Sequence, residues 1–155
     1  MTCNALPLLG ARDPALPLAW HAGQPISAGR FLAEAQALAG RLPAAGPAVN
    51  LCQDRYRFAL GLAAALLRGH TSLMPPNALP ETLRRLRDQG PAPYALVDHD
   101  EVDAADLQRV SVIREADAPA ADRVPAIDGD LSAVCLLTSG STGAPQPHPK
   151  RWAPL

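Results

Sequence analysis

Between Ser27 and Leu137 the chain alternates helical hydrophobic periodicity with apolar runs too short to be helices, and that alternation restricts the fold more than any other feature. The short runs Ala48–Cys52, Thr71–Met74, Tyr94–Val97, Val110–Ile113 and Leu131–Leu137 read as strands. Ser27 is placed to cap a helix reaching about Leu42. Ile26 and Phe31 have the spacing of a hydrophobic staple around that cap, and Phe31, Leu32, Ala35, Leu38 and Leu42 share one face. Asp54 caps a second helix, Arg55–Arg68, in which Phe58, Ala59, Leu62, Ala63 and Leu66 read as the buried stripe and Gly69 as the stop. Pro80 to about Gln89 is a third, with Leu83 and Leu86 inward, Arg84, Arg85 and Arg87 on the wet face and Gly90 at its end. Such alternation predicts an α/β fold, a mostly parallel sheet flanked by helices on both faces. Ligands of such sheets bind beyond the carboxyl ends of the strands.

The rest of the chain is less periodic. Residues 1–26 read as an irregular Leu- and Pro-rich lead-in that closes with a short hairpin, Leu18–Trp20 and Gln24–Ile26 around His21-Ala-Gly23. Residues 27–155 read as a partial α/β subdomain. Asp98–Asp106 is acidic and reads as solvated, and Ala116–Asp128, rich in Ala, Pro and Asp, offers no regular pattern.

At 155 residues and 48% hydrophobic, there is room for one domain with a real core. A net charge of −1 argues against a nucleic-acid surface built on phosphate neutralisation. Cys3, Cys52 and Cys135 have no metal or redox spacing, and an odd count fits a reducing compartment. No signal-peptide pattern opens the chain, and no apolar run approaches the ~20 residues that span a bilayer. These features predict a cytoplasmic protein with no membrane partner. His21, His70 and His99 are scattered without metal spacing.

The segment with most chemistry is Leu136–Pro145, Leu-Leu-Thr-Ser-Gly-Ser-Thr-Gly-Ala-Pro, an apolar strand entering a turn rich in glycine and hydroxyls. Gly140 and Gly143 allow backbone that a side chain would forbid, so that successive N–H groups converge on an anion. Thr138, Ser139, Ser141 and Thr142 add hydroxyl donors. The spacing is neither that of a Walker loop nor that of a dinucleotide fingerprint. Thr138–Pro145 resembles the phosphate loop of the adenylate-forming superfamily, the acyl- and aryl-CoA synthetases, luciferases and peptide-synthetase adenylation domains. The helix–strand–helix–strand order from Ser27 to Pro76 is similar to that family's opening unit, so the resemblance covers roughly residues 20–152. One departure stands out: where the family usually has Lys after the Pro, this chain has Gln146, and its sole lysine is Lys150. Either Lys150 reaches back to the phosphates or the loop relies on backbone and hydroxyl donors. The Gln146–Trp152 tail resembles AMP-ligases of aryl-polyene and xanthomonadin-type pigment pathways, which would imply an aromatic or polyunsaturated acid.

The resemblance implies an ATP- and Mg2+-dependent ligase. A carboxylate attacks the α-phosphate and expels pyrophosphate. A thiol of CoA or of an acyl carrier protein then takes the acyl group. Thr138, Ser139, Gly140, Ser141, Thr142, Gly143 and Lys150 would bind the ATP phosphates, while His148 and Trp152 are candidates for substrate or phosphate contact. Trp152 also reads as a core residue, and His148 as a solvated one. Catalytic residues and metal ligands are not assigned. Residues 27–155 would then be part of an AMP-binding N-terminal subdomain ending at the phosphate loop, catalytically incomplete alone. The strand before the loop would be left with an open edge or apolar surface, and the piece would self-associate. The alternative is a non-catalytic module that binds a nucleotide or a partner.

Overall fold

The computed structural model describes residues 4–114, 119–139 and 145–153. Its framework is a six-stranded sheet built from β4 (Ala48–Asn50), β5 (Ser72–Met74), β6 (Tyr94–Val97), β7 (Gln108–Ser111), β9 (Ser132–Ser139) and β10 (Pro145–Arg151). The order is β10-β9-β5-β4-β6-β7. Every adjacent pair is parallel except β9–β10. The mostly parallel α/β class expected from the alternation is what forms.

The helices begin and end where capping chemistry says they should. The Ser27 hydroxyl accepts from the Arg30 amide at 3.1 Å and opens α1, Ala28–Arg41. The Asp54 carboxylate accepts from the Arg57 amide at 2.8 Å and opens α2, Arg55–Arg68, which Gly69 stops at φ +77°. Helix α3, Pro80–Gln89, has proline in its first turn, where no N–H is missed. Upstream, Asn77 Oδ1 accepts from the Leu79 amide and the Thr82 hydroxyl. No helix of the described residues is long and apolar enough to cross a membrane.

Alternation along the strands builds two cores. Ala48, Tyr94, Leu96 and Val134 face α1 and α2 with Phe31, Leu32, Leu38, Leu60 and Leu66. Val49, Ala95 and Val97 face the other way, toward Leu83 of α3. In α1 the predicted stripe is the buried one. In α2 it is rotated: Tyr56, Leu60, Gly61, Ala63, Ala64, Ala65 and Leu66 are buried, whereas Phe58 and Leu62 are half-buried and Ala59 is exposed. A helix apolar on nearly every side hides its inner face from periodicity. The choice is made by Gly61, where an added Cβ would meet Asn50 Nδ2 at 2.8 Å and Leu96 Cδ1 at 3.0 Å.

Three segments depart from expectation. The lead-in is not wholly irregular: Ala5–Pro7 (β1) pairs antiparallel with Ala126–Asp128 (β8), inside a stretch that offered no pattern. Strands of three residues carry no readable period, and these partners lie at opposite ends of the chain. The hairpin is present as β2 (Pro17–His21) and β3 (Gln24–Ser27), turned through Ala22 and Gly23, both at positive φ. The tail past the loop is itself a strand, β10, despite Pro145, Pro147 and Pro149. Alternating prolines share one side of the ladder, so Gln146, His148 and Lys150 supply the N–H groups facing β9 while the proline side looks outward. The edge next to β9 is therefore covered, and the new edge lacks outward donors. On the α3 side, Leu73, Cys135, Leu137, Pro145 and Pro147 line an apolar hollow beside Leu86.

Candidate functional site

The carboxyl ends of β9, β5, β4 and β6 lie side by side on one rim because these strands are parallel neighbours. The Thr138–Pro145 run begins at that rim, on the strand of this group that borders the hairpin. Residues 140–144, which include Gly140, Ser141, Thr142 and Gly143, lie outside the described residues. At the base of the run, Thr138 is exposed and its Oγ1 lies 3.3 Å from His148 Nε2. Thr138 pairs with Gln146, so His148 is its diagonal neighbour on the same face of the hairpin. The backbone of Ser139 ends β9 opposite Pro145.

The register separates the other candidates from this end. Lys150 pairs with Val134, five residues back from Ser139. At about 3.3 Å per residue that is about 17 Å of strand, longer than a lysine side chain. The expectation that Lys150 reaches back to the phosphates does not fit this register. Of the two alternatives, the pairing favours backbone and hydroxyl donors. Trp152 lies past the same far end. Its amide donates to Leu131 O at 2.9 Å, its indole N–H donates to Leu6 O at 3.3 Å, and its ring packs on the main core. It ties β10 to the lead-in, as a core residue does.

The rim holds groups that sequence reading passed over. Asp98 follows β6 directly and belongs to the stretch read as solvated, yet its side chain is 4% exposed. Its Oδ2 accepts from the amides of Gln53 (2.9 Å) and Asp54 (2.8 Å), and its Oδ1 lies 2.8 Å from His99 Nδ1. Burial alone would raise its pKa, but these hydrogen bonds outweigh burial and hold the carboxyl below its usual range. Asp98 thereby pins the β4–α2 turn. The signal for it was available: the first polar residue after a wholly apolar strand of a parallel sheet sits on the rim. The sign of its effect follows. A depressed folded pKa stabilises above the ordinary carboxylate range and is lost as pH falls through the folded value. Asp98→Ala should cost about 2 kcal/mol at neutral pH. It should also flatten the loss of stability as pH falls below about 4. Urea melts of both proteins across that window check this, and parallel pH curves would refute it.

Asn50 closes the adjoining turn, donating from Nδ2 to Phe58 O at 2.8 Å and accepting from the Cys52 amide at 3.2 Å. Burial, then the nearby Asp98 charge, push the Cys52 thiol up to about 12, which disfavours its thiolate. Among the described residues no cluster of three His, Cys, Asp or Glu could hold a metal ion.

No protein-family model matches the chain, and no curated protein matches it. Solved structures do. A malonyl-CoA ligase, in a ternary product complex with methylmalonyl-CoA and AMP, is 26% identical with a TM-score of 0.67 over 92% of this chain. The o-succinylbenzoate coenzyme A synthetase of Bacillus subtilis, in complex with ATP and magnesium, is 18% identical with a TM-score of 0.66 over 90% of this chain. The N-terminal subdomain of Klebsiella oxytoca NpsA is 17% identical with a TM-score of 0.67, also over 90%. This chain spans 31%, 40% and 39% of those three chains. The narrower resemblance of the tail to pigment-pathway AMP-ligases draws no support from these three. In fold, and in its likeness to malonyl-CoA ligase, the chain matches an N-terminal portion of the adenylate-forming superfamily.

Proposed function

We propose that this chain supplies the nucleotide-phosphate loop of an AMP-forming carboxylate–thiol ligase. The observation that carries the reading is positional. A glycine- and hydroxyl-rich run leaves the end of β9 on the rim it shares with four parallel strands, where α/β sheets bind ligands. The fold neighbours add weight, since they include coenzyme A ligases in complex with ATP and with AMP. Residues Thr138–Gly143 would hold the β- and γ-phosphates by backbone N–H groups and hydroxyls as charge moves onto pyrophosphate. His148 would orient the Thr138 hydroxyl from the neighbouring strand. Mg2+ would arrive with the nucleotide and offset the charge of its phosphates. The carboxylic acid, CoA or an acyl carrier protein would meet parts of the ligase not contained in residues 1–155, so the piece alone would not complete the reaction. Cys52 and Cys135, both free thiols, fit a reducing cytoplasmic setting. Self-association would use the apolar hollow at Leu137 and Pro147, and would appear as a concentration-dependent sedimentation coefficient in the micromolar range.

Titrating the 155-residue chain with ATP while following backbone amides by NMR tests the loop. Shifts are expected from Leu136 through His148, and Gly143→Val should weaken them at least tenfold, because a branched side chain forbids the close backbone approach. Unchanged ATP affinity in that variant would remove the loop from the account. Carboxylate-dependent pyrophosphate exchange by the chain alone would overturn its incompleteness.

A further inference from the structure

A second binding feature lies where the lead-in and its hairpin meet the helices α1 and α2. A cavity of about 390 Å³ opens there between Leu9, Leu18 and Trp20 of the lead-in and Phe31, Arg55 and Tyr56 of the helices. The chain has two Trp, two Tyr and two Phe, and one of each lines this space. Phe31 and Tyr56 are buried and meet edge to face, with ring centroids 5.8 Å apart. Trp20 is 68% exposed, and its indole N–H has no hydrogen-bond partner among the described residues. Arg55 is exposed too, and its guanidinium has no hydrogen bond or ion pair among the described residues. Nearby carboxylates are committed elsewhere. Asp54 accepts from the Arg57 amide, and Glu34 is buried against Arg30, Arg114 and the Tyr56 hydroxyl.

Stability explains neither Trp20 nor Arg55. Arg55 is the first residue of α2, at the end where the helix dipole disfavours a cation. An indole left in water forgoes the burial that makes tryptophan stabilising. Residues that work against the fold locally are expected at functional sites. We propose that this cavity binds a small flat carboxylate of about two fused rings. The rings lie against Trp20, Phe31 and Tyr56, and the carboxylate accepts from the Arg55 guanidinium. The lining sets the sign of the charge. Arg55 is its sole charged side chain among the described residues, and the Tyr56 hydroxyl is engaged by Glu34. The free polar side-chain groups, on Arg55 and Trp20, are donors only, so an anionic acceptor complements them. Size sets the ring count, since a dry cavity of about 150 Å³ already takes benzene. No lining residue belongs to β9 or β10, so the site is separate from the phosphate loop and its test needs no nucleotide.

Naphthoate and its neutral amide, naphthamide, serve as probes, matched in shape and differing in charge. Both are titrated into the full 155-residue chain at fixed ionic strength and followed by NMR. Naphthoate should shift the amides of residues 18–20 and 55–59 and the Trp20 indole N–H, and should bind about tenfold more tightly than naphthamide. Arg55→Gln should weaken naphthoate about tenfold and leave naphthamide within about twofold. The same variant should keep its urea midpoint at or above that of the parent chain, because the cation it removes opposes the helix dipole. Trp20→Ala, at a position exposed to solvent, should weaken both probes about tenfold. The proposal is overturned if naphthoate does not bind at millimolar concentration, if its shifts map elsewhere, or if naphthamide binds as well. It is overturned equally if Arg55→Gln leaves naphthoate affinity unchanged, or lowers the urea midpoint and so shows the arginine to be structural.

Discussion

Replacing Glu34 with alanine should cost this fold about 3 kcal/mol. Glu34 occupies the buried face of α1 with its side chain fully covered. Its Oε1 accepts from Arg30 Nε and Arg114 Nη2, both at 3.2 Å, and its Oε2 accepts from the Tyr56 hydroxyl at 3.2 Å and Arg114 Nε at 3.4 Å. The Arg114 guanidinium also lies 5.3 Å from the Tyr56 ring centroid, over its face. Burial and then the Glu34 charge raise the Tyr56 pKa, which keeps the phenol a donor. Removing the carboxylate strands that hydroxyl and leaves Arg114 without its anion. The loss stays at the lower end of the range for broken buried pairs because Arg114 and Arg30 are 30% and 22% exposed and can turn to water. With a urea m-value of about 2 kcal/mol/M, the midpoint should fall by about 1.5 M. A fall under roughly 0.5 M would show the cluster to be incidental. Glu34→Gln, which keeps the acceptor for Tyr56, should lose less.

Gly29→Ala should destabilise by about 2–3 kcal/mol, against the usual sign for this substitution in a helix. In an open helical position, alanine for glycine stabilises by about 0.4–1 kcal/mol. Gly29 is in the first turn of α1 but is clamped by backbone on two sides. Its amide donates to Pro14 O at 2.7 Å, and its carbonyl accepts from the Ala121 amide at 2.9 Å. An added Cβ would collide with the Ala121 carbonyl oxygen and meet Pro14 O at 3.2 Å. Neither obstacle is a side chain that could rotate away, so the segments at Pro14 and Ala121 would have to separate from the helix. Gly40, in the same helix, has open space where its Cβ would be, and Gly40→Ala should stabilise. Opposite signs for the two variants in thermal or urea melts are the expected result, and matching signs would refute the clamp.

How much of this was legible beforehand varies by element. Ser27, Asp54, Gly69 and Pro80 announce the helix ends because capping bonds close within a few residues. The strand Tyr94–Val97 was readable because its four residues are all apolar and all buried. Thr138 and His148 were both singled out from the sequence, but their meeting across the β9–β10 ladder was not. Lys150 looked close to the loop in sequence, but the antiparallel register carries it to the far end of the hairpin. Asp98 looked like one acid among several until the β4–α2 turn supplied its amides.

From its sequence alone, this protein's class, the three helices of the described residues with their ends, and the glycine–hydroxyl run after an apolar strand were determined, since each depends on neighbours a few positions away. Tertiary structure alone decided the sheet order, the rotation of α2, the pairing of the lead-in with Ala126–Asp128, and the partners of Glu34. Arg114 is 80 residues from Glu34 along the chain. No local pattern records such a meeting, because it is the packing of helices on the sheet, with the burial of apolar surface that drives it, that brings the two together.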